Sequence, residues 1–117
     1  MEYRVLGRSG LKVSALCLGT MMFGRETPPA QARKIIDHAH GAGVNFIDTA
    51  DIYTAGRSEK VVGEALTKTR QDWVLATKAG NQMGEGANQR GLSRRWLRER
   101  PTATGQRWCR YLIFRDC

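Results

Sequence analysis

Two short apolar segments, each followed by an ionisable side chain, constrain this chain more than any other feature. Residues 44–47 lead to Asp48, and residues 73–77 lead to Lys78. Strands buried in a parallel sheet are apolar, and their carboxyl ends meet at the rim where ligands bind in open sheets and barrels. We therefore expect Asp48 and Lys78 to lie side by side, with Tyr53, five residues beyond Asp48, within reach.

The segments before Asp48 also suggest strands. Residues 3–6 and 11–13 are extended runs on either side of a glycine-bounded turn, which predicts a β-hairpin. Residues 15–18 form a continuous apolar run that ends at Gly19 and Thr20. A run of this kind predicts a strand that is buried on both faces.

Three helices are predicted between and after these strands. The first begins with Thr27 at the N-cap and Pro28 at the first helical position. The second begins at Ser58, and Ser93 caps the third. Their apolar faces are Ala32, Ile35, Ile36 and Ala39 in the first, Val61, Val62, Ala65 and Leu66 in the second, and Trp96 and Leu97 in the third. Strands that alternate with helices predict an α/β fold with a parallel sheet.

Composition narrows the class of protein. A chain of 117 residues has room for one small domain. No apolar run approaches the ~20 residues of a membrane-spanning helix, and the N-terminus does not have the pattern of a secretory signal. The cysteines are Cys17, Cys109 and Cys117, an odd number, so reduced thiols and a cytoplasmic location are the default expectation. No Cys or His pair has metal-ligand spacing, so no metal is expected.

The formal net charge of +8 is concentrated near the C-terminus. Residues 1–89 carry 11 Lys and Arg against 9 Asp and Glu, whereas residues 90–117 carry eight Arg, no Lys and two acidic side chains. Pro101 also interrupts the third helix soon after it begins. We predict that residues 1–97 are one unit and that residues 98–117 are an atypical basic tail that is not native to it, arising from a frame shift or a gene-model error.

Asp48, Tyr53 and Lys78 together suggest acid–base chemistry, although each has a simpler interpretation alone. Asp48 could cap a turn, Tyr53 could be a packed aromatic with a solvated hydroxyl, and Lys78 could extend into water. A lysine ammonium held by an aspartate favours the tyrosinate form of a neighbouring tyrosine. Such a tyrosine can protonate a carbonyl oxygen as a hydride reaches the carbon. Because no side chain donates a hydride, this chemistry requires a nicotinamide cofactor.

Four segments together form a recognisable sequence pattern. They are Leu-Gly-Thr-Met at 18–21, Phe-Ile-Asp-Thr-Ala-Asp-Ile-Tyr at 46–53, Ser-Glu-Lys-Val-Val-Gly-Glu-Ala-Leu at 58–66 and Ala-Thr-Lys at 76–78. In these segments the chain closely resembles the aldo-keto reductase family, over about residues 3–97. The resemblance implies the N-terminal portion of a (β/α)8 TIM barrel, preceded by a β-hairpin and containing about three of the eight βα units. It also implies NADPH bound across the C-terminal rim and reduction of small aldehydes or ketones.

The resemblance also implies roles for individual residues. By the family pattern Asp48, Tyr53 and Lys78 are three members of a catalytic tetrad, with Tyr53 as the general acid. Gly19 and Thr20, together with Asp48, would bind the nicotinamide end of the cofactor. The loop that follows Thr20 would line the entrance for the substrate.

The chain departs from the family pattern in one catalytic group. The fourth member of the tetrad is a histidine at the end of the fourth strand, and residues 111–114 lie roughly there without a histidine. His38 and His40 fall on the first predicted helix and are interpreted as solvated. Only three of eight strands are predicted, so we expect the chain by itself to be marginally stable, prone to aggregation and catalytically silent.

Two other functions remain open. The first is a non-catalytic fragment, or an interaction or regulatory protein of the same fold, because some relatives bind other proteins instead of turning over a substrate. The second and less favoured is nucleic-acid binding through the arginine-rich tail, where Trp96, Trp108 and Tyr111 are interleaved with arginines. That tail has no recognisable binding motif. Membrane binding is not expected, and the sequence leaves the oligomeric state open.

Overall fold

The computed structural model describes residues 1–99 and 111–115. For residue 99 and residues 111–115 it describes the backbone alone. Its strands are β1 (Tyr3–Val5), β2 (Lys12–Ser14), β3 (Leu18–Gly19), β4 (Phe46–Asp48), β5 (Val74–Ala79) and β6 (Tyr111–Arg115). Its helices are α1 (Pro29–Gly41), α2 (Arg57–Ala65) and α3 (Arg94–Glu99). Within these ranges no helix is long and apolar enough to cross a bilayer. Predictions that involve Pro101, Trp108, Cys109 and Cys117 lie outside the described residues.

Four strands form a parallel sheet in the order β3-β4-β5-β6, and β1 pairs with β2 in the antiparallel direction. Helix α1 connects β3 to β4, and α2 connects β4 to β5, so the sheet is built from βα units as the periodicity predicted. The sequence predicted three parallel strands. The fourth is β6, whose backbone pairs with β5 from Leu75 opposite Tyr111 to Ala79 opposite Arg115.

The core is formed where α1 and α2 pack on β4 and β5. The central strand residues Ile47 and Leu75 are 0% and 1% exposed. The predicted apolar faces of the two helices meet them through Ala32, Ile36, Val61, Val62, Ala65 and Leu66. Complete burial of an aliphatic side chain of this size stabilises the fold by about 1.5–3 kcal/mol. This shared core fixes β4 beside β5.

The strand predicted over residues 15–18 is shorter and more exposed than expected. Only Leu18 and Gly19 form β3, and Leu16 is 64% exposed. The reason is a bend at residues 15–16, between β2 and β3, where the Ser14 hydroxyl donates to the carbonyl oxygen of Leu16 at 2.6 Å. Leu16 therefore lies outside the strand.

Helix α1 begins later than predicted. Pro28 occupies the N-cap and Pro29 is the first helical residue, without a side-chain cap. Thr27, the predicted N-cap, instead donates its backbone N–H to the carbonyl oxygen of Met22 at 3.0 Å. Since two consecutive prolines carry no amide hydrogen, the first turn has fewer donors for a cap to satisfy.

Helix α2 begins at Arg57, one residue before the predicted start at Ser58. Gly56 occupies the N-cap with φ 86°, a left-handed conformation that glycine adopts readily. Ser58 is therefore inside the first turn, and its hydroxyl bonds to residues at the strand ends. For α3 the prediction is confirmed, because the Ser93 hydroxyl accepts a hydrogen bond from the backbone N–H of Trp96 at 3.1 Å.

The antiparallel strands β1 and β2 are attached to the segment between α1 and β4. The Tyr3 hydroxyl donates to the carbonyl oxygen of Gly43 at 2.7 Å, and the Asn45 side chain accepts from the Ser14 N–H at 2.7 Å. Gly43 has φ 86°, and a Cβ atom at this position would lie 3.0 Å from Met1 Cβ. Both its conformation and its neighbours therefore require glycine.

We expect Gly43→Ala to lower the free energy of unfolding by about 1–2 kcal/mol, because alanine is strained at positive φ and its methyl meets Met1. The measurement is urea unfolding followed by circular dichroism. Gly10→Ala separates the two causes, since Gly10 has φ 75° with open space around it. Gly41→Ala in α1 is the control for an added methyl group, and we expect it to be neutral or stabilising because alanine favours a helix more than glycine does. Equal stability of the Gly43 and Gly41 variants would contradict this docking of β1 and β2.

Candidate active site

Asp48 and Lys78 meet at the carboxyl ends of β4 and β5. Asp48 lies opposite Ala76 in the parallel register, and Lys78 is two residues further along β5, so its side chain is on the same face. The ammonium of Lys78 donates to both carboxylate oxygens of Asp48 and to the carbonyl oxygen of Thr49, each at 2.8 Å. The structure thus brings these two predicted residues together.

Tyr53 is brought to the same place by the chain that follows β4. The N–H of Asp51 donates to the carbonyl oxygen of Lys78 at 3.1 Å, and the N–H of Tyr53 donates to that of Ala50 at 3.2 Å. These bonds fold the segment across the end of β5. The Lys78 ammonium lies 4.8 Å from the centroid of the half-buried Tyr53 ring.

The electrostatics of this group favour a charged lysine. Burial by itself would lower the pKa of Lys78, but hydrogen bonds with Asp48 and Tyr53 and attraction to both groups raise that pKa above 10.5 overall. The Lys78 side chain is 16% exposed and that of Asp48 is 34% exposed. At neutral pH a shielded positive charge therefore faces the tyrosine.

The backbone after Tyr53 has an unusual conformation that the sequence did not reveal. Thr54, Ala55 and Gly56 have φ angles of 53°, 54° and 86°. A left-handed conformation costs about 1–2 kcal/mol for a residue with a side chain. The Thr54 hydroxyl stabilises it by bonding to the carbonyl oxygens of Met21, at 3.3 Å, and Phe23, at 3.2 Å. Tyr53 is thereby coupled to the loop after β3.

Gly19 and Thr20 lie beside Asp48 but differ in what they offer a ligand. Gly19 pairs with Asp48 in the register of β3 and β4, is exposed, and has open space where a Cβ atom would stand. Thr20 is 0% exposed, and its hydroxyl donates to the carbonyl oxygen of Asp48 at 2.9 Å. Gly19 therefore presents a surface next to the carboxylate, whereas Thr20 supports the Asp48 backbone.

Neither histidine belongs to this group. His38 is exposed, as predicted. His40 is half-buried rather than solvated: its ring centroid is 5.6 Å from that of Trp73, and its Nε2 is 3.1 Å from a carboxylate oxygen of Asp72. Trp73 precedes β5, so His40 lies at the end of the strand opposite to Lys78.

The fold and this site define an α/β protein with a lysine–aspartate pair and a tyrosine at the ends of parallel strands. An aldo/keto reductase family model matches residues 15–107, and the chain belongs to that family. Among curated relatives, the uncharacterized oxidoreductase YqkF of Bacillus subtilis is 45% identical over 87 residues, which cover 74% of this chain and 28% of YqkF. A probable voltage-gated potassium channel subunit beta of Arabidopsis thaliana is 39% identical over 111 residues, covering 92% of this chain and 34% of that protein.

Solved structures agree with this assignment. An aldo-keto reductase from Bacillus halodurans in its holo form superposes with a TM-score of 0.67 at 46% identity, covering 74% of this chain and 28% of the other. A putative aldo-keto reductase from Pseudomonas aeruginosa gives a TM-score of 0.62 at 44% identity, covering 67% of this chain and 31% of the other. The chain thus spans about a third of the length of the relatives that it matches.

Cys17 lies just before β3, and the pKa of its thiol depends on the charges of Asp48 and Lys78. Partial burial of its thiol, although the residue is exposed overall, raises its pKa to about 11, and the negative charge of Asp48 contributes to the rise while Lys78 opposes it. A Cys109→Ser, Cys117→Ser background leaves Cys17 as the single thiol. In that background we expect the rate of alkylation by iodoacetamide to rise with pH toward a midpoint near this pKa.

Asp48→Asn should move this midpoint to lower pH, because removal of the negative charge stabilises the thiolate. Asp72→Asn, which removes a carboxylate at the other end of the sheet, is the matched control and should leave the profile unchanged. Identical profiles for the Asp48 variant and the parent would show that Cys17 does not experience the charge of Asp48.

Proposed function

We propose that this site reduces the carbonyl group of a small aldehyde or ketone, with NADPH as the hydride source and Tyr53 as the general acid. In this proposal residues 1–97 are the N-terminal portion of a (β/α)8 barrel of the family, and residues 98–117 are not native to it. The observation that carries the proposal is the position of the Lys78 ammonium, 2.8 Å from both oxygens of Asp48 and 4.8 Å from the Tyr53 ring centroid.

Each side chain has a distinct task in the reduction. The Tyr53 hydroxyl donates its proton to the carbonyl oxygen, so that negative charge appears on the phenol oxygen instead of the substrate. Lys78 stabilises that charge, and it does so without reorganisation because Asp48 and the Thr49 carbonyl already hold its ammonium. When bound, the nicotinamide supplies the hydride that completes the alcohol.

The residues beside Asp48 fit the reactive end of a nicotinamide. A flat ring requires a surface without a projecting side chain, and exposed Gly19 has open space above its backbone. The carboxylate of Asp48 is 34% exposed next to it. Gly19 and Asp48 would hold the nicotinamide end directly, and Thr20 would act through its hydrogen bond to the Asp48 carbonyl.

A regulatory or interaction role is the second candidate, and the comparisons favour it over nucleic-acid binding. Two relatives, from Oryza sativa and Arabidopsis thaliana, are each named a probable voltage-gated potassium channel subunit beta. They align with 85% and 92% of this chain. In this alternative the site would bind the cofactor, and the protein would act as a subunit of a larger assembly.

The test is a chimera in which residues 1–97 replace the corresponding part of the Bacillus halodurans aldo-keto reductase. We expect NADPH-dependent reduction of an aromatic aldehyde, and we expect Tyr53→Phe to lower kcat by about 100-fold or more because the proton donor is lost. Tyr3→Phe, a tyrosine far from the site, is the control. Unchanged kcat in the Tyr53 variant would refute the assigned role, and cofactor binding without turnover would favour the subunit alternative.

The 117-residue chain alone is expected to be catalytically silent. No histidine among the described residues reaches Tyr53, because His38 and His40 lie on α1 and His40 packs at the opposite end of β5. The measurement is NADPH consumption with the same aldehyde under the conditions used for the chimera. Turnover that depends on Tyr53 in the isolated chain would contradict this expectation.

A further inference from the structure

Behind Asp48 and Lys78 lies a hydroxyl cluster, which we define as Thr20, Thr49 and Ser58. Its members are 0%, 1% and 0% exposed. The Ser58 hydroxyl donates to the carbonyl oxygen of Thr20 at 2.7 Å, and its oxygen is 3.0 Å from the hydroxyl of Thr20 and 3.2 Å from that of Thr49. A hydroxyl has one donor and two acceptor positions, so Ser58 donates its proton to Thr20 and can accept that of Thr49, while the Thr20 hydroxyl donates to Asp48.

The cluster is bonded to the backbone on both sides of the catalytic pair. Thr20 donates its N–H to the carbonyl oxygen of Asp48 at 3.1 Å, and its hydroxyl lies 2.9 Å from the same atom. The carbonyl oxygen of Thr49 accepts one of the three hydrogen bonds of the Lys78 ammonium. Displacement of either threonine would therefore displace a partner of the Asp48–Lys78 pair.

Helix α2 anchors the hydroxyl cluster to the ends of the strands. Ser58 is in its first turn, and the next residue, Glu59, is 4% exposed and accepts a hydrogen bond from the Thr77 hydroxyl at 2.6 Å. Thr77 immediately precedes Lys78 on β5. Two adjacent residues of α2 thus bind the ends of all three strands that carry the site.

We propose that Ser58 is a positioning residue, which holds the Asp48–Lys78 pair in register through the hydroxyls of Thr20 and Thr49. The inference rests on the proposed function for its significance, because the pair matters only if Lys78 serves Tyr53. Ser58 itself touches none of the reacting groups. Loss of its hydroxyl removes a donor and an acceptor from a fully buried site, and the threonines on either side must then move.

The test is the pH titration of the Lys78 side chain in the full 117-residue chain, followed by its 13Cε NMR signal and assigned by its loss in Lys78→Met. In Ser58→Ala we expect the midpoint to fall by about 0.5 pH unit or more toward 10.5, because a loosened Asp48 stabilises the ammonium less. Thr67→Ala is the matched control, since it removes a hydroxyl that bonds to Gly63 and Glu64 at the far end of the same helix.

A Ser58→Ala chain that is folded and titrates like the parent would overturn the proposal, even if its stability is reduced. If that variant does not fold, Thr49→Val replaces it, because valine keeps the shape and the carbonyl that binds Lys78 while losing the hydroxyl. The same fall in the midpoint is then expected, and an unchanged midpoint refutes the proposal. The titration requires no turnover, so its result can be interpreted even if the chimera that tests the proposed function is inactive.

Discussion

The structure of the site depends on one shielded cation, the ammonium of Lys78. A charge with a 16% exposed side chain needs compensation within the protein, and Asp48 and the Thr49 carbonyl provide it through three hydrogen bonds of 2.8 Å. This arrangement exists because β4 and β5 are parallel neighbours with Asp48 opposite Ala76. A slip of one residue would turn Lys78 to the face that packs on the helices. The register of β4 and β5, in which Ile47 lies opposite Leu75, therefore determines which groups surround the Lys78 ammonium.

The parts of the fold that the sequence predicts are those where a local hydrophobic pattern agrees with the way that consecutive strands are connected. An apolar run that ends in a charged residue predicts the end of a strand. Because consecutive parallel strands end at the same edge of the sheet, the sequence alone predicts that Asp48 and Lys78 are neighbours. The apolar faces of α1 and α2 were accessible for the same reason, since helical periodicity reports directly which side is buried. The roles of these residues in catalysis stay predictions that the chimera tests.

Features that depend on contacts between residues far apart in the sequence could not be predicted from local patterns. The run at residues 15–18 has the same composition whether it forms one strand or bends in its first half, and Leu16 is exposed in that bend. Ser58 has the residue type of a helix cap, but its hydroxyl bonds to Thr20 and Thr49 instead. The left-handed conformation of Thr54 and Ala55 has no local signal, since neither residue type favours it.

The C-terminal part illustrates why strand pairing and sequence origin are separate questions. β6 pairs with β5 from Leu75 to Ala79, with Lys78 opposite Phe114, although the composition changes after residue 90. The exposed edge of a parallel sheet pairs with any β-competent segment through the backbone, so the pairing of residues 111–115 does not establish that they are native to the barrel.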